Sequence, residues 1–118
     1  MAAAGSFDDW AMHIAIVLEP QHRIPARRPS QQAIDATQRM FDVLVEDGFV
    51  IDNINVGPWG ELVIEFNKRY ELMQKGDGDS STGFVARSWS FYGTRGRLHI
   101  DAAPARIREY LGKRIKQV

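Results

Sequence analysis

The sequence predicts an α+β fold: a single antiparallel or mixed sheet of about five strands with two helices packed on one face, in the order β-α-β-β-β-β-α. Three observations carry this prediction. Residues 10–19 and 61–68 place large apolar side chains at every second position. Residues 30–48 and 101–118 repeat apolar side chains at helical spacing, each behind a capping residue. Glycine- and proline-rich turns stand between the strand segments and suit antiparallel neighbours.

Taken in order, residues 1–9 are small and polar and are expected to fray. The first strand is then expected from Trp10 to Glu19, with Trp10, Met12, Ile14, Ile16 and Leu18 on one face and smaller residues on the other. Pro20 ends it, and Pro20, Pro25 and Pro29 make the segment up to Pro29 a loop, because proline fixes φ and removes a donor. Ser30 is placed to cap a helix whose buried stripe is Ile34, Thr37, Phe41, Leu44 and Val45, with Met40 beside it. Asp35, Arg39, Asp42 and Glu46 form its solvated face, and Gly48 stops it.

Phe49 to Val56 reads as a strand interrupted by Asp52, Asn53 and Asn55, which suits an edge position or a bulge. Gly57-Pro58-Trp59-Gly60 is turn chemistry, and Glu61 to Lys68 returns as a strand with Leu62, Ile64 and Phe66 inward and Glu61 and Glu65 wet. Tyr70 to Lys75 reads equally as an extension of that strand or as a short turn, and residues 76–83 read as a flexible loop. A last hairpin pairs Phe84 to Tyr92 with Arg97 to Ile100 around Gly93-Thr94-Arg95-Gly96. Asp101 then caps the final helix, striped by Ile107, Tyr110, Leu111, Ile115 and Val118 and closed by Lys113, Arg114 and Lys116 in its last turn.

At 118 residues the chain is expected to be one domain, with no linker and no internal repeat. It contains no cysteine, which removes disulfides, thiolate nucleophiles and cysteine-ligated zinc from consideration. The N-terminal residues lack the basic start and apolar run of a secretory signal, and a cytoplasmic location with no membrane span is expected. The net charge is zero, but residues 80–118 hold eight Lys or Arg against two acids, leaving +6 there and −6 in the first 79 residues. Such a split allows a bipolar surface.

No motif of a known catalytic family stands out. Serines are plentiful, but none sits in Gly-x-Ser-x-Gly, and the glycines form neither a Walker loop nor a dinucleotide fingerprint. His99 and Asp101 share a strand face, a weak signal for a metal or an acid–base pair, and His13 and His22 stand apart. Gly76-Asp77-Gly78-Asp79 lacks the acidic series of a calcium loop. In the strand of the last hairpin, burial of Val85, Arg87, Trp89 and Phe91 is favoured over burial of Phe84, Ala86, Ser88, Ser90 and Tyr92, since serine is the cheaper residue to expose.

The expected function is a non-enzymatic protein-binding module of the small inhibitor, immunity or accessory-subunit type, with no cofactor and no metal. Its docking residues are expected to be Trp59, Arg87, Arg95, Arg97, Arg108, Lys113 and Arg114, facing another protein, acidic in character, or a second copy of the chain. The alternative is a nucleic-acid-binding module using the Arg and aromatic residues of 84–97, and the third reading is a small enzyme acting through His99 and Asp101 or His13.

Overall fold

A computed structural model of the chain describes residues 7, 9, 10 and 24–93 and the backbone of 96–98. Over these residues the fold is α+β, one helix against one antiparallel sheet. After a 3-10 turn at Pro25–Arg27 come α1 (Gln31–Glu46) and the strands β1 (Ile51–Val56), β2 (Leu62–Phe66), β3 (Tyr70–Asp77), β4 (Val85–Gly93) and β5 (Gly96–Leu98). The strands form a meander in sequence order, four of them five to nine residues long and the last a three-residue stub. No helix among the described residues is long and apolar enough to cross a membrane.

The helix forms as its caps dictate. The Ala33 N–H donates to the Ser30 Oγ at 3.1 Å, satisfying one of the donors a first turn leaves open. Gly48, with φ at +84°, takes the left-handed position after the last turn. Ala33, Thr37, Met40, Phe41 and Leu44 are buried, whereas Asp35, Arg39, Asp42 and Glu46 are exposed. Val45, expected in the buried stripe, is 39 % exposed, because the buried arc is centred one position toward Ala33 and Met40.

The first hairpin follows the alternation of Leu62, Ile64 and Phe66, all fully buried beneath α1. A register shift between Ile51 and Asn53 makes Asp52 a bulge, in keeping with the polar interruption of that strand. Residues 70–75, for which the sequence allowed either strand or turn, form a strand of their own that runs on through Gly76 and Asp77. It joins β2 through a turn in which Asn67 and Lys68 have φ of 49° and 61°, the pair of left-handed values that a tight hairpin needs. The β1 entrance holds this turn. Asn67 N–H donates to the Val50 carbonyl at 2.8 Å, Val50 N–H donates to the Asn67 side-chain oxygen at 2.9 Å, and Lys68 N–H donates to the Asp52 carboxylate.

A buried polar network crosses the core, centred on Gln74. Gln74, 1 % exposed, accepts from Leu62 N–H at 3.0 Å and donates to the Ala33 carbonyl at 2.8 Å and the Thr37 hydroxyl at 3.0 Å. It ties α1 to both central strands, satisfying a buried N–H that the β2–β3 ladder leaves open at this point.

Several sequence expectations are corrected. Phe7 is buried against Phe41, with ring centroids 5.6 Å apart and planes 68° to each other, so residue 7 does not fray. Phe7, Asp9 and Trp10 are helical, so Trp10 does not open a strand, and the rest of that expected strand, 11–19, lies outside the described residues. The expected C-terminal helix, 101–118, lies outside them too. Residues 79–83 form a closed turn, with Asp79 and Gly83 exchanging backbone hydrogen bonds at 3.0 and 2.7 Å. The Ser81 hydroxyl and N–H both donate to Asp79, holding its carboxyl below its ordinary value. Gly93 and Gly96 pair with each other and are strand residues, not loop residues, and 94–95 lie outside the described residues.

The parity of β4 differs most instructively from the expectation. Phe84 and Ala86 are buried, but so are Trp89 and Phe91, which have the opposite parity. The register shows why: Lys75 pairs with Ser88 and Gly76 with Ala86, leaving Arg87 as an extra residue on a bulge. The bulge turns the strand over, so apolar residues on both sides of it are buried, Trp89 and Phe91 in the main cluster and Phe84 and Ala86 in a smaller one with Ala33.

Candidate functional site

Three backbone segments meet at one end of the molecule. The turn 57–60 is closed by Gly57 N–H donating to the Glu61 carbonyl at 2.8 Å and Gly60 N–H to the Gly57 carbonyl at 3.1 Å. Glu61, expected wet, is only 8 % exposed: its carboxylate folds under the turn against Gly57, where a Cβ would collide with it, and accepts from Trp59 N–H at 3.1 Å. Gly60, with φ at +93°, lies so close to the 3-10 segment that an added Cβ would sit 2.8 Å from the Arg27 carbonyl and 2.9 Å from the Phe84 Cβ. The loop after β3 closes the third side, since a Cβ on Gly78 would sit 2.7 Å from the Ala26 carbonyl oxygen. Phe84 is stitched to the same segment, its N–H donating to the Arg28 carbonyl and its own carbonyl accepting from Ser30 N–H at 3.0 Å.

On this fixed platform Trp59 is 60 % exposed. The Arg27 guanidinium carbon lies 4.5 Å from the indole centroid, a cation–π contact. Ile24, at the start of the same 3-10 turn, is 57 % exposed. The ring is thus exposed on a turn whose backbone is hydrogen-bonded, with a cation over its face. Of the two expected docking residues whose side chains are described, Trp59 and Arg87, Trp59 is the one on the platform.

Of the remaining expected residues, Arg87 alone has a described side chain. Arg87 projects from the bulge and pairs with Asp77, Nε to Oδ2 at 2.8 Å, both side chains about 70 % exposed, a pair of little energetic weight. Arg97 is a β5 residue opposite Tyr92. Arg95, Arg108, Lys113 and Arg114 lie outside the described residues, as do His13, His22, His99 and Asp101. Trp89 and Phe91 are 5 % and 3 % exposed, so they present no stacking platform to bases.

A second feature escaped sequence reading. Successive register partners Asn53, Glu65, Glu71, Tyr92 and Arg97 make one row across the sheet face opposite α1. Glu65 and Glu71 are therefore like charges directly opposed on neighbouring strands, which opposes pairing. Glu65 accepts from the Asn55 amide at 2.7 Å. Burial raises the Glu71 carboxyl above its ordinary value of 4.5, and the Glu65 charge raises it further. These two line an open cleft of about 480 Å³ with Asp52, Lys68, Arg69 and Tyr70. One row further along, Val63 and Ser90 are buried, so this face is less open than expected. Among the described residues no three His, Cys, Asp or Glu gather as metal ligands.

The Glu71 shift sets a pH dependence. Because its folded-state value is raised, the folded protein binds more protons than the unfolded chain as pH falls from neutrality through that value toward 4.5, and stability rises across this window. Glu71→Gln is expected to be more stable than the wild type at neutral pH, with the difference closing on acidification. Urea unfolding of both proteins at a series of pH values checks this, and a constant difference would refute it.

No family model, no curated protein and no solved structure matches the chain. Function is therefore read from the residues of the Trp59 end themselves.

Proposed function

We propose that the protein is a non-enzymatic protein-binding module, of the small inhibitor, immunity or accessory-subunit type, that docks through its Trp59 end. The observation that carries this reading is an indole 60 % exposed on a turn whose backbone is bound on several sides. Exposed tryptophan gains little for the fold that bears it. At interfaces, by contrast, tryptophan and arginine are the residues whose loss is most costly. Stacking of Arg27 on the ring joins the two types in one patch and reduces the ordering that binding would require.

Trp59→Ala separates a docking role from a structural one. Its unfolding free energy is expected to stay within about 0.5 kcal/mol of the wild type, as for surface positions generally. In affinity capture from host extract, a partner held by the wild type and by an Asp42→Ala control on the solvated face of α1 is expected to be lost by Trp59→Ala. Retention of every partner by Trp59→Ala would sink the proposal.

A further inference from the structure

We propose that Gln32 guards a sheet edge: its side-chain amide stands in for a neighbouring strand on β4 and keeps that edge from pairing with a second copy of the chain. The observation is a pair of hydrogen bonds. Gln32 Nε2 donates to the Ala86 carbonyl at 2.7 Å, and the Ala86 N–H donates to Gln32 Oε1 at 2.8 Å. One primary amide thus makes both of the bonds that an adjoining strand would make at this residue. The proposal is independent of any docking role of the Trp59 end.

The first half of β4 needs such cover. Its inner side pairs with β3 from Val85 to Tyr92, but on the outer side the described part of β5 meets only Phe91, Tyr92 and Gly93. At Phe84 the cover is backbone. Phe84 N–H donates to the Arg28 carbonyl and the Phe84 carbonyl accepts from Ser30 N–H, a parallel bridge whose central residue is Pro29. In that pattern the backbone of Pro29 faces away from β4, and proline has no N–H to offer a further strand. By Ala86 the covering chain has already turned into α1, and the side chain of a first-turn residue takes over from the backbone. Ala86 is 8 % exposed whereas Gln32 is an exposed residue, so the amide is the layer between this edge and solvent. An exposed glutamine bonds readily to water, and fixing it costs side-chain entropy. Closing both backbone groups of one strand residue is what offsets that cost, because an open edge is a template for another chain. The chain always present at the protein's own concentration is a second copy.

Sedimentation velocity over a wide concentration range tests this on Gln32→Ala and Gln32→Met, the second of which keeps the length of the side chain while removing both bonds. Both are expected to self-associate at concentrations about tenfold or more below those at which the wild type does. Hydrogen exchange should show the Ala86 amide of both variants opening at low concentration and regaining protection as they associate. Thr37→Val removes a buried hydroxyl away from this edge and is the control for destabilisation alone; it is expected to sediment as the wild type does. Variants that keep the wild-type sedimentation at every concentration would overturn the proposal, as would equal self-association of Thr37→Val. Loss of the folded circular dichroism signal in both Gln32 variants would overturn it too, since Gln32 would then hold the fold rather than close its edge.

Discussion

Phe66→Ala is expected to lower the free energy of unfolding by about 3–5 kcal/mol, the range found when a large buried ring is removed and its cavity only partly collapses. Phe66 is fully buried at the end of β2 and is the hub of an aromatic cluster: its centroid lies 5.7 Å from Phe49, 5.6 Å from Tyr70 and 6.5 Å from Phe91. Tyr70 and Phe91 also stack on each other at 5.6 Å, so three strands and the α1–β1 connection share the cavity the substitution leaves. Against a total stability of about 5–15 kcal/mol, the loss can leave the variant largely unfolded at physiological temperature. Phe66→Leu retains much of the volume and should cost roughly 1.5 kcal/mol or less. Chemical denaturation of the pair measures both, and a loss below about 1 kcal/mol for Phe66→Ala would show that ring packing is not what holds this end.

Gln74→Leu is expected to cost about 2 kcal/mol although it adds an apolar side chain to an apolar core. The reason is the Leu62 N–H, which is buried, bonds to the Gln74 side-chain oxygen and would be left without an acceptor. Thr37→Val is the informative companion: Gln74 keeps its bond to the Ala33 carbonyl when the hydroxyl is removed, so the expected loss is smaller, about 1 kcal/mol. Urea unfolding of the two single variants and the double variant should give less than the sum, because the partners belong to one network. A fully additive double variant would mean that the network does not act as a unit.

Gln74 also explains why β3 is hard to see in the sequence. Tyr70, Leu72 and Gln74 share the inward parity, and a glutamine at the third position looks like a solvent-facing residue unless its partners 37 and 41 positions away are known. The preceding turn gives no stronger signal, since a lysine with left-handed φ announces nothing by composition; Val50 and Asp52 hold it from another strand. By contrast, α1 and the first hairpin are legible because Ser30, Gly48 and the Leu62–Ile64–Phe66 alternation act within a few residues of themselves. The site divides along the same line. Turn chemistry draws attention to Trp59, but Arg27 on its ring and Glu61 beneath its backbone follow from how distant or folded-back segments pack. The opposition of Glu65 and Glu71 requires the β2–β3 register, which composition and periodicity do not specify.

The bulge at Arg87 has a consequence for chain length. Ser88 and Ala86 face consecutive β3 residues, Lys75 and Gly76, so the strand carries one residue more than its partner can use. Excising Arg87 would bring Phe84, Ala86, Trp89 and Phe91 into a single uninterrupted alternation with the same face inward. At the bulge the reading frame of the strand's hydrophobic pattern therefore absorbs a deletion. A variant lacking Arg87 is expected to fold with the Asp77 pair lost and the ladder regular, and hydrogen exchange along β3 and β4 would record the closure.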